Sequence, residues 1–283
     1  MDERLREIFL DKPELVSVLP EWMLPESELR RLRARHNLAI VELAGRDSVA
    51  AGIKAAQEGA AGELLPVLVY TGSEYGRFAW AEQAWQRLRA GLPAGVELHP
   101  LLVMGSPGFW RAMNGRFLQK LQAIFGFCPV CPGCHLYLHA VRLPLAVRLG
   151  GAPIIAGERA SHDGKVKINQ LPLAQKVYGE LAASFGVELL LPLARVAQGA
   201  EVERLLGQPW PAGGEQLGCV LSGNYQEADG RVEVSLSTLS DYFRRFALPL
   251  ARAVVREYLD GREPDHQALA AQALAACLAE PAV

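Results

Sequence analysis

Short apolar stretches alternate with helical patterns through the middle of the chain, and this alternation constrains the fold more than any other feature. Five apolar stretches predict strands, at 37–45, 64–72, 95–104, 152–158 and 187–193. Amphipathic or Ala-rich stretches that end at glycine separate them, which is typical of helices. The pattern predicts an α/β fold: a five-stranded, mostly parallel sheet with helices on both faces.

The segments before and after this alternation have different patterns. Residues 1–36 predict helices broken by prolines, with Ser27 as the N-cap of the last one. Residues 211–283 combine a loop, a strand-like RVEVSLS stretch and a helical region that Pro249 is expected to interrupt. We therefore expect an N-terminal helical segment (1–36), a sheet domain (37–210) and a mixed, mainly helical C-terminal appendage (211–283).

Composition narrows the class of protein. Half of the 283 residues are hydrophobic and 21% are charged, so the chain can bury a core and is not disordered. The net charge of −2 gives no basic excess for nucleic acid. The charged N-terminus has no apolar signal region, and no apolar run is long enough to span a bilayer. We expect a cytoplasmic protein with no membrane partner, in which thiols stay reduced.

The loop LAGRDSVAA joins the first predicted strand to its helix, and its residues suit an anion. Ala44 and Gly45 allow a tight turn, and Asp47 and Ser48 begin the helix, where free N–H groups favour negative charge. Arg46 adds a positive charge. Ligands of parallel sheets bind beyond the carboxyl ends of the strands, where this loop is expected. An ordinary turn with Asp47 or Ser48 as N-cap is the alternative.

This loop resembles a degenerate form of the S-G-G-x-D-S signature of the PP-loop ATP pyrophosphatase superfamily, the adenine nucleotide alpha hydrolase-like proteins. Gly45, Asp47 and Ser48 match the signature, whereas Leu43 and Ala44 replace its serine and first glycine. In that superfamily the loop binds the pyrophosphate end of ATP, and the enzyme adenylates a substrate oxygen. The resemblance implies a Rossmann-like fold, with ATP and Mg²⁺ as cofactors.

The resemblance also implies which residues bind the nucleotide. They are Ala44, Gly45, Arg46, Asp47, Ser48, Tyr70, Gly157 and Glu158. Asp47 is additionally expected to be catalytic. In the polar stretch that follows, Asp163 is a candidate Mg²⁺ ligand, and Lys165 and Lys167 are candidate contacts to phosphate or RNA. A solvated loop is the alternative there.

The stretch FCPVCPGCHLYLH places Cys128, Cys131 and Cys134 at three-residue steps. In a reducing compartment such spacing favours a metal site, because thiolates are soft donors for zinc and iron–sulfur clusters. A dithiol–disulfide pair and simple packing stay open. His135 and His139 share a helix face and could form a second metal pair or pack in the core.

The same region is similar to the C-x-x-C-containing tRNA thiolation, or sulfur transferase, branch of the superfamily. There a C-x-x-C pair and one distant cysteine hold an iron–sulfur cluster, which implies Cys131 and Cys134 with Cys219 as the distant ligand. Cys128 is a further candidate ligand, and four cysteines would also suit a closed zinc site. Cys128 and Cys219 are the candidate catalytic sulfur carriers.

Two functional hypotheses follow. The first is an enzyme that adenylates its substrate with ATP, releases AMP and transfers sulfur to tRNA or a small metabolite, with a sulfur donor protein and a second copy of the chain as further candidate partners. The alternative is a zinc-stabilised relative that acts as an ATP-dependent ligase or amidase, or as a non-catalytic module that binds a nucleotide or partner. The identity of the metal separates them.

Overall fold

Strands and helices alternate along the chain as the sequence predicts. The computed structural model describes residues 24–35, 37–77, 79–211 and 216–279. The strands are β1 (Leu38–Glu42), β2 (Glu63–Val69), β3 (Glu74–Tyr75), β4 (Glu97–Leu98), β5 (Leu102–Met104), β6 (Ile154–Ile155), β7 (Leu189–Leu190) and β8 (Gly218–Cys219). The helices are α1 (Glu26–Arg33), α2 (Arg46–Gln57), α3 (Ala79–Gly91), α4 (Pro107–Asn114), α5 (Leu118–Phe125), α6 (Val130–Arg148), α7 (Pro172–Ala183), α8 (Gly199–Leu206), α9 (Leu236–Tyr242), α10 (Leu248–Leu259) and α11 (His266–Ala279).

A parallel sheet of six strands forms the centre of the fold. Its order is β4-β2-β1-β6-β7, with β5 also paired to β2, and every one of these pairs is parallel. The α/β class is therefore confirmed, with one correction to the strand count. The strand predicted at 95–104 is split into β4 and β5, because Pro100 between them has no N–H to donate to the sheet.

Helices cover both faces of this sheet, and the side chains of β1 are therefore buried alternately on one face and the other. Ile40 belongs to a large apolar cluster that includes α6, α7 and the C-terminal helices. Ala39 and Val41 belong to a second cluster with α2 and α3. A strand buried on both faces explains why this stretch is continuously apolar.

Helix α6 is the longest described helix and carries the cysteine cluster. It begins at Val130, so Cys131 and Cys134 lie inside its first turns. The sequence pattern wrongly placed this pair before the helix. Pro132 is compatible with the first turn, where backbone N–H groups have no partner within the helix.

Two expectations for the C-terminal region are wrong. The stretch 231–235, predicted as part of a strand, has no regular secondary structure, and Ser235 instead caps α9 by accepting a hydrogen bond from the Thr238 N–H. Pro249 does not interrupt the helical region, because it lies in the first turn of α10, directly after a π-helical turn at Phe243–Ala247.

The N-terminal helices were predicted mostly for residues 1–23, which lie outside the described residues. In the described part of this segment, α1 begins at Glu26 directly after Pro25. Ser27 lies inside the helix and is not its N-cap. No helix in the described ranges combines the length and apolar character needed to cross a bilayer. The domain boundaries at 36/37 and 210/211 stay predictions.

Candidate functional site

A cavity of about 740 Å³ lies beyond the carboxyl ends of β1, β2 and β6, where parallel sheets bind ligands. Four parts of the chain supply most of its lining: the loop 44–48, one face of α6, the polar stretch from Gly157 to Gln170, and the segment 216–226. The cavity brings together the loop and three of the cysteines that the sequence singled out separately.

The loop is held closed by Ser48. Its Oγ accepts hydrogen bonds from the N–H groups of Ala44 at 2.9 Å and Gly45 at 3.0 Å, and it donates to the Gly45 carbonyl at 2.9 Å. The Ser48 hydroxyl therefore shapes the turn. The Arg46 N–H, at the start of α2, instead donates to Oε1 of Gln216 at 3.4 Å.

Asp47 lies between two guanidinium groups. It accepts from Arg46 Nε and from Arg159 Nε, both at 2.9 Å. Arg159 is 1% exposed and also donates to Nδ1 of His162 at 3.2 Å. Burial, followed by the nearby Lys167 and Arg159 charges, lowers the pKa of His162 to about 4. This imidazole is therefore neutral at pH 7 and adds no positive charge to the two guanidinium groups.

Glu158 is a buried carboxylate that two histidines hold in place. Its Oε1 accepts from His135 Nδ1 at 2.9 Å and from His139 Nε2 at 3.2 Å, both from α6. Burial alone would raise the pKa of Glu158, but the charge and hydrogen bonds of the two imidazoles outweigh it and keep the pKa below its usual range. His135 and His139 share one helix face, as predicted, and both contact the same carboxylate.

Three of the five cysteines line the cavity: Cys131, Cys134 and Cys219. The first two come from α6. Cys219 comes from β8, which pairs antiparallel with β3, and its Sγ lies 3.3 Å from Ser73 Oγ. Backbone pairing across 145 residues thus carries Cys219 to the wall opposite the loop.

The thiols of α6 are protonated near neutral pH. Burial raises the pKa of Cys131 to about 11 and that of Cys134 still further. Trp110 Nε1 donates to Cys134 Sγ at 3.3 Å, and the Leu221 N–H donates to Cys219 Sγ at 3.4 Å. Metal binding would deprotonate the thiols, and N–H donors to sulfur tune a metal–thiolate centre.

The three cavity cysteines do not yet form a compact metal site. In the described part of the chain, the one group of three metal-type side chains with ligand atoms within 4.8 Å of one another is Glu63, Glu97 and His99. Cys131, Cys134 and Cys219 are soft donors, which suit zinc as well as an iron–sulfur cluster.

Comparison with known proteins places the chain in a family. No model of a known protein family matches the sequence. Uncharacterized protein MJ0009 of Methanocaldococcus jannaschii is 37% identical to it over 227 residues, which cover 79% of this chain and 82% of the archaeal protein. The chain belongs to the MJ0009 family.

A solved structure is also similar to this member of the MJ0009 family. It is the crystal structure of a 4-thiouridine synthetase–RNA complex with bound ATP, with 16% sequence identity and a TM-score of 0.46. The match covers 80% of this chain but 54% of that one, so the chain spans about half of the synthetase. A likeness of this extent carries no conclusion about activity.

Four of the predicted nucleotide and metal residues of this MJ0009-family protein lie outside the cavity lining: Tyr70, Cys128, His139 and Asp163. Tyr70 packs with Leu68 and Ala81, and its carbonyl accepts from Tyr137 Oη at 2.9 Å. Cys128 is half-buried and precedes α6, one residue before Pro129. The remaining predicted nucleotide and metal residues all line the cavity.

The polar stretch has a partly structural role. Asp163 Oδ1 accepts from the Gly199 N–H at 2.8 Å, so this carboxylate satisfies the start of α8, and the bond lowers its pKa. Lys165 and Lys167 both line the cavity, as expected for contacts to an anionic ligand. The structure thus assigns Asp163 a contact that competes with its predicted Mg²⁺ role.

Sequence reasoning missed three residues of the site. Gln216 has no sequence signal, because its position over the loop depends on the tertiary path of the chain. Glu42 and Arg142 could have been found, since Glu42 is the one charge in the apolar strand LAIVE and Arg142 lies among apolar residues in the middle of α6. They form a buried ion pair, with Arg142 Nη2 donating to Glu42 Oε1 at 3.0 Å.

Proposed function

We propose that the chain is a PP-loop enzyme that adenylates a substrate oxygen with ATP and Mg²⁺ and then replaces that oxygen with sulfur. The observation that carries the proposal is the shared cavity: the loop 44–48 and the sulfurs of Cys131, Cys134 and Cys219 line one space. Activation and sulfur delivery need the nucleotide and the thiols within reach of one substrate.

The residues have separate roles in this scheme. The loop and the N-terminus of α2 bind the phosphates. The substrate oxygen attacks the α-phosphorus and pyrophosphate leaves, and hydrosulfide then attacks the adenylated carbon as AMP leaves. Cys131, Cys134 and Cys219 would hold an iron–sulfur cluster that supplies a site for sulfide, and their soft donor set and shared cavity support this assignment.

The substrate class is a tRNA base or a small metabolite with a replaceable oxygen. The resemblance to tRNA thiolation enzymes supports tRNA, with a separate protein as sulfur donor. A second copy of the chain, a cytoplasmic location and the boundaries of the nucleotide domain belong to the same proposal.

Two measurements test the proposed function. Protein purified without oxygen should contain iron and acid-labile sulfide and be brown. With ATP, Mg²⁺, sulfide and bulk tRNA or a metabolite extract, it should release AMP and pyrophosphate, and mass spectrometry should detect a product in which oxygen is replaced by sulfur. Colourless protein with stoichiometric zinc, or ATP left intact with every substrate pool, would contradict the proposal.

A further inference from the structure

Arg142 is a buried cation with unused hydrogen-bond donors. Arg142 is 1% exposed, and its Nη2 donates a hydrogen bond to Glu42. Nε and Nη1 are both buried and have no hydrogen-bond partner. A guanidinium has five N–H donors, and leaving buried donors unsatisfied costs free energy that a bound acceptor would restore.

The unused donors belong to a residue of the cavity wall. Arg142 lines the cavity on the same face of α6 as Cys131, Cys134 and Leu138. Eleven residues separate it from Cys131, which is three helical turns, or about 16 Å along the axis. The guanidinium is therefore at the buried end of the wall that carries the thiols.

Glu42 accepts a hydrogen bond from only one of the three guanidinium nitrogens of Arg142. Its Oε1 accepts from Arg142 Nη2, while its Oε2 accepts from the Gly157 N–H at 3.4 Å. Two other carboxylates of the lining are already paired, Asp47 with two arginines and Glu158 with two histidines. A ligand that supplies negative oxygen atoms would complement the two nitrogens without an acceptor.

We propose that Arg142 binds an oxyanion, either a phosphate group of the nucleotide or a phosphate or carboxylate group of the substrate. The proposal deepens the proposed function, on which the identity of these ligands rests. It adds a residue outside both the loop and the cysteine cluster. Because Arg142 is buried, a charge-assisted bond there gives specificity for a small anionic group that can reach the end of the cavity.

The test is calorimetric titration of the full-length protein with pyrophosphate, ATP, adenosine, inorganic phosphate and malonate. The variants are Arg142→Gln, which removes the charge, Arg142→Lys, which keeps it, and the double variant Glu42→Gln/Arg142→Gln, which avoids an unpaired buried carboxylate. Arg148→Gln, on the same helix but outside the cavity lining, is the matched control. Circular dichroism and Tm verify that each variant is folded.

We expect Arg142→Gln and the double variant to weaken anion binding at least tenfold, Arg142→Lys to weaken it less, and the control and adenosine affinity to stay unchanged. Weaker binding of ATP and pyrophosphate together identifies the nucleotide as the source. Unchanged ATP affinity, with weaker binding of phosphate or malonate to ATP-saturated protein, identifies the substrate. Wild-type affinity of the folded double variant for every probe, or no anion bound by the wild type, overturns the proposal.

These results are separable from those for the proposed function. Protein that releases AMP but binds every anion without Arg142 contradicts only the oxyanion site. Protein that binds pyrophosphate through Arg142 but never releases AMP contradicts only the enzymatic reaction.

Discussion

Gly157 lies directly against the backbone of Ser48 at the start of α2. A Cβ on Gly157 would be 2.5 Å from the Ser48 nitrogen and 2.7 Å from the carbonyl carbon of Asp47. The segment after β6 and the loop after β1 therefore touch backbone to backbone at this point. Only glycine permits this approach, and it fixes the loop relative to Glu158, the next residue.

We predict that Gly157→Ala distorts the loop and destabilises the protein by about 1–3 kcal/mol, as overpacking does. Backbone atoms cannot move aside as a flexible side chain can, so nucleotide affinity should fall as well. Urea unfolding and calorimetry with ATP measure both effects. Gly179→Ala is the control, because nothing lies within 4 Å of a Cβ there. It should be neutral or stabilising by up to about 1 kcal/mol. Equal stability of the two variants would contradict the prediction.

Gln216 lies over the loop 44–48, at the N-terminus of α2 where the proposed phosphate site would be. Its Oε1 accepts from the Arg46 N–H, and a Cβ added to Gly45 would lie 2.6 Å from the same oxygen. We predict that Gln216→Ala raises ATP affinity several-fold. In the variant, a phosphate oxygen no longer has to displace the Gln216 amide oxygen from the Arg46 N–H at the N-terminus of α2. Calorimetry measures the change, with the exposed Gln122→Ala as control. A lower affinity would show that Gln216 contacts the nucleotide instead.

The sheet could be predicted because burial on both faces leaves a continuous apolar signal in β1 and β2. Its interruption at Pro100 could also have been predicted from the missing N–H, whereas the helix start at Val130 could not, because proline-containing first turns and loops share one sequence pattern. The pairing of Asp47 with Arg159 depends on how two strands align, a tertiary relationship with no local signature.

The cysteines also differ in whether local sequence or tertiary structure determines their position. The three-residue step from Cys131 to Cys134 places both sulfurs on one helix face, which local geometry predicts. Cys219 reaches them only through the pairing of β8 with β3, so the sequence supplied it by resemblance alone. Cys128 has the same spacing but precedes the helix that orients the other two, so its role as a ligand stays a prediction.

We predict that stability falls as the pH is lowered from about 6.5 to 4, in part through His266. Burial lowers the pKa of His266 to about 4, whereas the unfolded chain binds this proton near pH 6.5. The unfolded state therefore gains the proton first, at a cost of up to about 3 kcal/mol by pH 4. Urea unfolding at several pH values gives the free energy of unfolding as a function of pH. For His266→Gln, this free energy should fall less steeply with decreasing pH, by an amount that corresponds to at most one bound proton. An unchanged slope would mean that His266 is protonated in the folded protein.

The cavity lining predicts which cysteines would hold the proposed iron–sulfur cluster. We expect Cys131→Ser, Cys134→Ser and Cys219→Ser each to lose most of the iron and sulfide, because their sulfurs line one cavity. Cys128→Ser should keep both, since Cys128 precedes α6 and is outside that lining. Metal analysis and visible absorption of protein purified without oxygen measure the outcome, with Tm as the check on folding. Loss of iron from Cys128→Ser would make Cys128 a fourth ligand, and full iron in all three cavity variants would remove the cluster from these cysteines.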